Sequence, residues 1–188
     1  MRFCSQCGHP VELRIPAGDD RHRHVCAQCS TIHYQNPRVI VGCLPVADDR
    51  ILLCRRAIEP RQGYWTLPAG FLENGETTLA GAEREMWEEA QAKVTNPVLY
   101  RIFDLPHINQ IYMFYRGDLI DERFGAGTES LEVALFRADE IPWQQLAFPV
   151  VIEALREFLD DRMRGEFPVR ASGLDPSWRN WLRHESEA

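Results

Sequence analysis

Apolar stretches in the middle of the chain predict a sheet. Residues 38–46 read RVIVGCLPV, a β-branched and mostly apolar run that favours a buried strand. A short polar turn follows, and residues 50–56, RILLCRR, are the expected hairpin partner. Three further strands are predicted at residues 98–104, 110–116 and 132–137.

Two amphipathic helices are predicted among these strands. The first covers residues 77–91, TTLAGAEREMWEEAQ, and begins at a threonine whose hydroxyl can accept from a free backbone N–H. The second covers residues 148–163. Its apolar positions follow the three-and-four spacing of one helix face: Val151, Ile152, Leu155, Phe158, Leu159 and Met163.

The amino-acid composition changes twice along the chain and divides it into three parts. Residues 1–34 hold four cysteines and few large apolar side chains, whereas residues 35–165 hold the predicted strands and helices. Residues 166–188 are interrupted by glycine and proline, and we expect a tail of uncertain order there. Trp178 and Trp181 are large apolar side chains, which indicates that this tail packs against another surface.

Composition and charge narrow the function classes. The 188 residues are 45% hydrophobic and 26% charged, which is typical of a globular protein and excludes disorder as the main state. The net charge of −7 argues against a general binder of nucleic-acid backbones, so no nucleic-acid partner is expected. An anionic substrate would need a cation to offset the repulsion.

No apolar run is long enough to span a membrane, and MRFCSQCGHP contains no apolar signal segment, so we expect a cytoplasmic protein without a membrane partner.

Four cysteines predict a structural metal site. Cys4 and Cys7 form one C-x-x-C pair, Cys26 and Cys29 form another, and 18 residues separate the pairs. This spacing is typical of a closed tetrahedral zinc site, which leaves no open position for catalysis. Two disulfides or an iron–sulfur site are the alternatives. A segment this small cannot bury enough surface to be stable alone, so we favour a bound Zn²⁺ that stabilises its fold.

A cluster of carboxylates on the first helix predicts a second metal site. Glu85, Glu88 and Glu89 stand at positions i, i+3 and i+4, which places them on one helix face. A solvated acidic face is the alternative interpretation. However, Arg84 adjoins the cluster and a glycine-rich loop, LPAGFLENGE, leads into the helix. Such oxygen ligands suit Mg²⁺ or Mn²⁺.

Residues 70–92, GFLENGETTLAGAEREMWEEAQA, closely resemble the Nudix box, G-x5-E-x7-R-E-U-x-E-E-x-G-U, where U is a bulky aliphatic residue. Gln91 and Ala92 depart from this pattern. Gln91 replaces a glycine that ends the helix in a left-handed conformation, at a cost of about 1 kcal/mol. The resemblance covers residues 35–165. It implies an α/β fold, an α/β/α sandwich around a mixed sheet, preceded here by a zinc ribbon.

The resemblance also implies roles for individual residues. Glu85 and Glu89 would hold the divalent cations, with Glu88 assisting, and the Ala69 carbonyl would be a further ligand. Arg84 would orient the carboxylates.

Two other expectations come from relatives. Glu76 would close the loop onto the helix. Relatives often take one more carboxylate from a downstream loop, as ligand or general base; Glu129 and Glu132 are the candidates, and we favour Glu132.

The zinc ribbon narrows the choice of relatives. NADH pyrophosphatases share this layout, and Tyr34 occupies the place of an aromatic residue that stacks on their nucleotide. They also carry a SQPWPFP-like motif after the box and an additional N-terminal domain, neither of which has a counterpart here. NADH specificity is therefore disfavoured.

The stronger resemblance is to plant zinc-ribbon Nudix hydrolases that cleave FAD and ADP-ribose, and it is carried by the segments RFCSQCG, YQNPRVIVGCL, ILLCRRAIEP, GYWTLPAGFLE and GTESLE. It implies metal-dependent hydrolysis of a pyrophosphate bond with release of AMP, and by analogy a homodimer. Arg55 and Arg56 are candidate phosphate contacts, or else solvated strand-end charges. The alternatives are a NADH or nucleoside triphosphate pyrophosphohydrolase, or a non-catalytic regulator that senses a nucleotide or binds nucleic acid.

Overall fold

The computed structural model describes residues 1–174, which form two compact units divided between Pro37 and Arg38. The smaller unit is a three-stranded antiparallel sheet in the order β1-β2-β3. Its strands are β1 (Val11–Arg14), β2 (Arg23–Cys26) and β3 (Ile32–His33).

The larger unit combines a sheet with two helices. Its strands are β4 (Arg38–Ala47), β5 (Arg50–Arg56), β6 (Trp65–Thr66), β7 (Ala69–Phe71), β8 (Val94–Leu105), β9 (Gln110–Leu119), β10 (Ser130–Phe136) and β11 (Arg170–Gly173). Its helices are α1 (Thr78–Ala90) and α2 (Pro149–Arg164), with short 3-10 turns at Pro106–Ile108 and Trp143–Gln145.

The sheet is mixed, as predicted. Six strands lie in the order β10-β5-β4-β9-β8-β11, while β6 pairs with β5 and β7 pairs with β4. The β4–β9 and β8–β11 pairs are parallel, and the other pairs are antiparallel.

The alternation of side chains along the strands builds a core on each face of the sheet. Val41 and Cys43 of β4 pack in one cluster with Ala82 and Met86 of α1. The opposite cluster contains Leu44 of β4 and several residues of α2. Because successive strand residues point to opposite faces, one apolar strand serves both helices. This confirms the α/β/α sandwich.

The last described strand corrects the expectation for residues 166–188. Residues 170–173 form β11, which pairs with β8. Arg170 donates to both carboxylate oxygens of Asp161 in α2, and the Tyr100 hydroxyl donates to the same carboxylate at 2.7 Å. The sequence RASG lacks the alternation of apolar and polar residues that predicts a strand. The contacts of Arg170 with Asp161 and the pairing with β8 hold it in place. Trp178 and Trp181 lie outside the described residues.

None of the helices within residues 1–174 combines the length and the apolar composition that a membrane span requires.

Candidate active site

The four cysteines of the smaller unit converge on one point. Their sulfur atoms all lie within 4.8 Å of one another, and all four thiols are free. The Cys7 Sγ lies 3.4 Å from both the Cys26 and the Cys29 Sγ, and the Cys4 Sγ lies 3.6 Å from the Cys29 Sγ. Four thiolates at this spacing fit a closed tetrahedral zinc site.

A cavity of about 910 Å³ in the larger unit collects the predicted carboxylates. Glu85, Glu88 and Glu89 of α1 all line it, together with Ala69 and Gly70 of β7. The cavity lining also includes Arg56, Arg84, Gln110, Tyr112, Phe114, Glu129 and Phe148. The box helix therefore borders an open space that can hold a ligand.

Arg84 links the carboxylates to the loop before the helix. Its guanidinium lies 2.8 Å from a Glu76 oxygen, 2.7 Å from Glu85 and 2.9 Å from Glu88, and it also donates to the Phe71 carbonyl at 3.1 Å. The ion pair with Arg84 lowers the pKa of Glu76 to about 2. Glu76 also accepts from the Glu73 N–H at 2.8 Å, so it ties the loop to the helix.

Gly70 allows β7 to approach Glu85. A Cβ atom at Gly70 would lie 2.3 to 2.4 Å from the carboxylate atoms of Glu85, closer than nonbonded atoms can approach. Any side chain at this position would therefore displace the Glu85 carboxylate.

Glu89 is the most buried carboxylate of the cluster, at 6% exposed. The Ala69 N–H donates to its Oε2 at 3.0 Å. Burial raises the pKa of Glu89 to about 8, and the neighbouring charge of Glu85 adds to the increase. The sequence predicted that Ala69 offers its carbonyl to a metal; the contact that the structure shows at Ala69 is this N–H donation.

The carboxylates fit a hard divalent cation by their chemistry. Within residues 1–174, only the four cysteines bring three or more ligand atoms within 4.8 Å of one another, whereas Glu85 and Glu88 both bind Arg84. Burial also raises the pKa of Glu85, and the Glu129 charge adds to the increase at both Glu85 and Glu89. A bound cation would relieve this repulsion, and carboxylate oxygens are the ligands that Mg²⁺ prefers.

The two downstream candidates lie in different places. Glu129 lines the cavity. Glu132, which the sequence favoured, is outside the cavity lining and lies 3.6 Å from the Arg55 guanidinium. Glu129 precedes β10, whereas Glu132 lies within this strand, opposite Arg55.

Arg55 and Arg56 diverge in the same way, because neighbouring strand residues point to opposite faces. Arg55 pairs with Glu132 and donates to the Gly63 carbonyl at 3.0 Å. Arg56 is buried in the cavity wall, donates to the Pro60 carbonyl at 2.8 Å and stacks over the Phe148 ring at 5.1 Å.

Several residues that line the cavity were not predicted from the sequence. Gln110, Tyr112 and Phe114 alternate along β9 and all line the cavity, so a period of two was the available signal. Phe148 precedes α2 and carries no such signal.

Comparison with known families decides the identity. A model of the NUDIX domain matches residues 36–158, and a model of the N-terminal zinc ribbon of Nudix proteins matches residues 2–35. The chain belongs to the Nudix family.

Relatives support this membership over most of the chain. A NAD-capped RNA hydrolase NudC from Edwardsiella ictaluri is 32% identical over 85% of this chain and 59% of its own length. The NudC of Photobacterium profundum is 33% identical over 74% of this chain and 51% of its own length. The chain thus spans somewhat more than half the length of these curated relatives.

Solved structures agree on the fold. A NUDIX hydrolase from Nitrosomonas europaea is 51% identical, covers 93% of this chain and all of its own, and superposes with a TM-score of 0.87. A bifunctional NMN adenylyltransferase/ADP ribose pyrophosphatase from Francisella tularensis is 21% identical over 69% of this chain and 42% of its own, with a TM-score of 0.58, and shares the fold.

The departure from the Nudix box at Gln91 leaves the helix end intact. Gln91 takes the left-handed conformation predicted for this position, with φ 48° and ψ 33°, and its N–H donates to the Trp87 carbonyl at 2.9 Å. The chain therefore turns at the point where the box has glycine.

Tyr34, the candidate nucleotide-stacking residue of this Nudix protein, lies in the smaller unit. Its ring is 63% exposed, and the Arg23 guanidinium lies over it at 5.1 Å. One ring face is thus occupied by a cation within the same unit.

Proposed function

We propose that this Nudix protein hydrolyses the pyrophosphate bond of a nucleoside diphosphate linked to another moiety. FAD and ADP-ribose are the substrates that we favour, and AMP is one product. The reaction needs Mg²⁺ or Mn²⁺, and the zinc of the ribbon is structural. The curated relatives are named for NAD-capped RNA, and the favoured substrates rest on the resemblance of the sequence to plant enzymes.

One observation carries the proposal: the cavity brings the box carboxylates Glu85, Glu88 and Glu89 together with Arg56. A pyrophosphate is an anion, and the acidic residues alone would repel it. Arg56 is buried, and no carboxylate of the described residues forms an ion pair with it. It is therefore available to pair with a phosphate oxygen.

Glu85, Glu88 and Glu89 would hold the divalent cation. When bound, the cation neutralises phosphate oxygens and lowers the pKa of an attacking water. Arg84 keeps two of these carboxylates at the cavity by its ion pairs, so their positions are set before substrate binds.

Glu129 is our candidate for the additional carboxylate that relatives take from a loop downstream of the box. It lines the cavity and would accept the proton of the attacking water, whose oxygen forms a new bond to phosphorus as the bridging P–O bond breaks. The bridging oxygen leaves with one of the two phosphate products.

Tyr112 and Phe148 offer aromatic surface in the same cavity. Planar rings suit the base or the isoalloxazine of a dinucleotide, and such stacking contributes about 1 kcal/mol for each ring pair. This aromatic surface suits the adenine that FAD, ADP-ribose and NAD share.

NAD-linked substrates are the second candidate, because the relatives at 32% and 33% identity are named NAD-capped RNA hydrolases. Their pyrophosphate and adenosine halves match those of ADP-ribose. A homodimer remains a proposal by analogy with the family.

The test is a substrate panel with the full-length protein. FAD, ADP-ribose, NADH, NAD⁺, NAD-capped RNA and dGTP are compared by kcat/KM with Mg²⁺ and with Mn²⁺, and AMP release is followed by chromatography. We expect the highest kcat/KM with ADP-ribose or FAD, and loss of turnover in Glu89→Gln. A preference for dGTP would contradict the substrate class, and equal activity in Glu89→Gln would contradict the metal site.

A further inference from the structure

The loop between β9 and β10 is bonded to the end of the box helix. The Gly125 N–H donates to the Ala90 carbonyl at 2.9 Å, and the Gly127 N–H donates to the Glu89 carbonyl at 3.1 Å. These carbonyls have no partner within the helix, since they belong to its last turn. Two loop N–H groups therefore complete the helix end beside the carboxylates.

Gly127 is required for space and not for backbone conformation. A Cβ atom there would lie 1.7 Å from the Glu88 carbonyl oxygen and 3.3 Å from the Glu89 Cα, while its φ is outside the left-handed region. Any side chain would force the loop and the helix apart by about 1 Å, because neither backbone can yield locally.

Two further backbone hydrogen bonds hold the chain around Glu129, and one of them involves Gly127. The Gly127 carbonyl accepts from the Ser130 N–H at 3.2 Å, and the Glu129 carbonyl accepts from the Ala57 N–H at 2.8 Å. Glu129 therefore lies in a short turn that is anchored to α1 at its start and to the chain after β5 within it. Within residues 1–174 the Glu129 carboxylate has no hydrogen-bond or ion-pair partner, so its place in the cavity depends on the backbone.

We propose that Gly127 is a positioning residue that sets the Glu129 carboxylate against the metal-binding carboxylates of α1. The link is direct: one hydrogen bond joins Gly127 to Glu89, and two residues further along the chain is Glu129. This inference rests on the proposed function, in which Glu129 takes a proton at the metal site.

Gly127→Ala tests the proposal because it retains the N–H donor and adds only a methyl group. A misplacement of about 1 Å in a catalytic group can reduce turnover about 100-fold. We expect kcat for ADP-ribose hydrolysis to fall about 10- to 100-fold, with KM changed less than about 3-fold.

Gly125→Ala is the matched control. Its Cβ would meet only the Gln91 side chain, with Oε1 at 3.3 Å and Cδ at 4.0 Å, and the end of that flexible side chain can move away. We expect kcat within about 2-fold of the unmodified protein. Far-UV circular dichroism and the melting temperature of both variants show that the fold is kept.

A double-mutant cycle separates positioning from a general disturbance. In the Glu129→Gln background, Gly127→Ala should cost less than about 2-fold more in kcat, because the group that it positions is already removed. A full additional loss in that background, weakened Mn²⁺ binding in a titration of Gly127→Ala, or unchanged kcat in Gly127→Ala would each overturn the inference.

The same data separate this inference from the proposed function. If Glu129→Gln alone keeps full kcat, the role of Glu129 is wrong and Gly127 has nothing to position. If Glu129→Gln is impaired while Gly127→Ala is not, the proposed function stands and only the inference about Gly127 fails.

Discussion

The Ala69 backbone N–H donates to the Oε2 of Glu89 across 3.0 Å, so the strand residue just before the Nudix box is joined directly to a helix residue of the box. This bond favours the ionised carboxylate, yet burial raises the pKa of Glu89 to about 8. Without a cation at the carboxylates, the hydrogen bond from Ala69 therefore lowers the pKa of Glu89 by less than burial raises it.

This conflict predicts a pH-dependent stability. The folded protein keeps the Glu89 proton up to about pH 8, whereas the unfolded chain releases it near pH 4. The folded state therefore binds more protons between these values, and its free energy of unfolding falls as pH rises through this window. We expect Glu89→Gln to raise the free energy of unfolding at pH 8 by about 2 kcal/mol in buffer without Mg²⁺ or Mn²⁺.

Urea denaturation at pH 5 and pH 8 measures this difference. The two proteins should be closer in stability at pH 5, where Glu89 is protonated in the fold. Equal gaps at both pH values would show that burial does not raise the pKa of Glu89. No chelator is used, so that the ribbon keeps its metal.

Cys26→Ser should reduce bound zinc and destabilise the smaller unit. The four sulfur atoms lie within 4.8 Å of one another, and a hydroxyl is a much weaker zinc ligand than a thiolate. Elemental analysis of the purified protein should give well under one zinc per chain. Ser5→Ala, an exposed position between the first two cysteines, is the control and should retain a full equivalent. Undiminished zinc in Cys26→Ser would contradict the site.

Glu129→Gln should impair turnover more than Glu132→Gln. Glu129 lines the cavity, whereas Glu132 pairs with Arg55 outside it. Removal of a general base reduces kcat by about 100-fold or more, while loss of an exposed ion pair changes stability by less than about 1 kcal/mol. Steady-state kinetics with ADP-ribose and Mg²⁺ compares the two variants. The reverse order of effects would return the role to Glu132.

Asp161→Ala should destabilise the larger unit by about 3 kcal/mol. The substitution leaves the Tyr100 hydroxyl and the Arg170 guanidinium without their shared acceptor. Asp160→Ala removes the neighbouring, exposed carboxylate and should change the unfolding free energy by less than about 0.5 kcal/mol. A similar small effect for Asp161→Ala would mean that β11 is held by its backbone pairing alone.

The strands and helices of the sheet core could be predicted from the sequence because their apolar residues repeat with the right period. Residues 38–46 and 50–56 became β4 and β5 almost unchanged. The helix predicted at 77–91 begins after its Thr77 cap, whose hydroxyl accepts from the Ala80 N–H at 3.1 Å. Local chemistry alone fixes these features.

Other features depend on contacts between distant residues and could not be predicted. The choice between Glu129 and Glu132 depends on the path of the loop before β10 and on the pairing of β10 with β5, which no local pattern reveals. The pattern of β11 is too short and polar to predict a strand; it is held by Arg170 and by pairing with β8. The closeness of Gly127 to α1 results from the path of a loop, and the sequence shows only a glycine.

The Asp161 network has a practical consequence for cutting this protein into fragments. The family match stops at residue 158, inside α2, yet the helix continues to Arg164 and its buried acid is neutralised by a residue further along the chain. A recombinant fragment trimmed to the matched span would lose Asp161 and Arg170 together and expose the Tyr100 hydroxyl side of the core. The smallest stable fragment of the larger unit should therefore extend at least through Gly173.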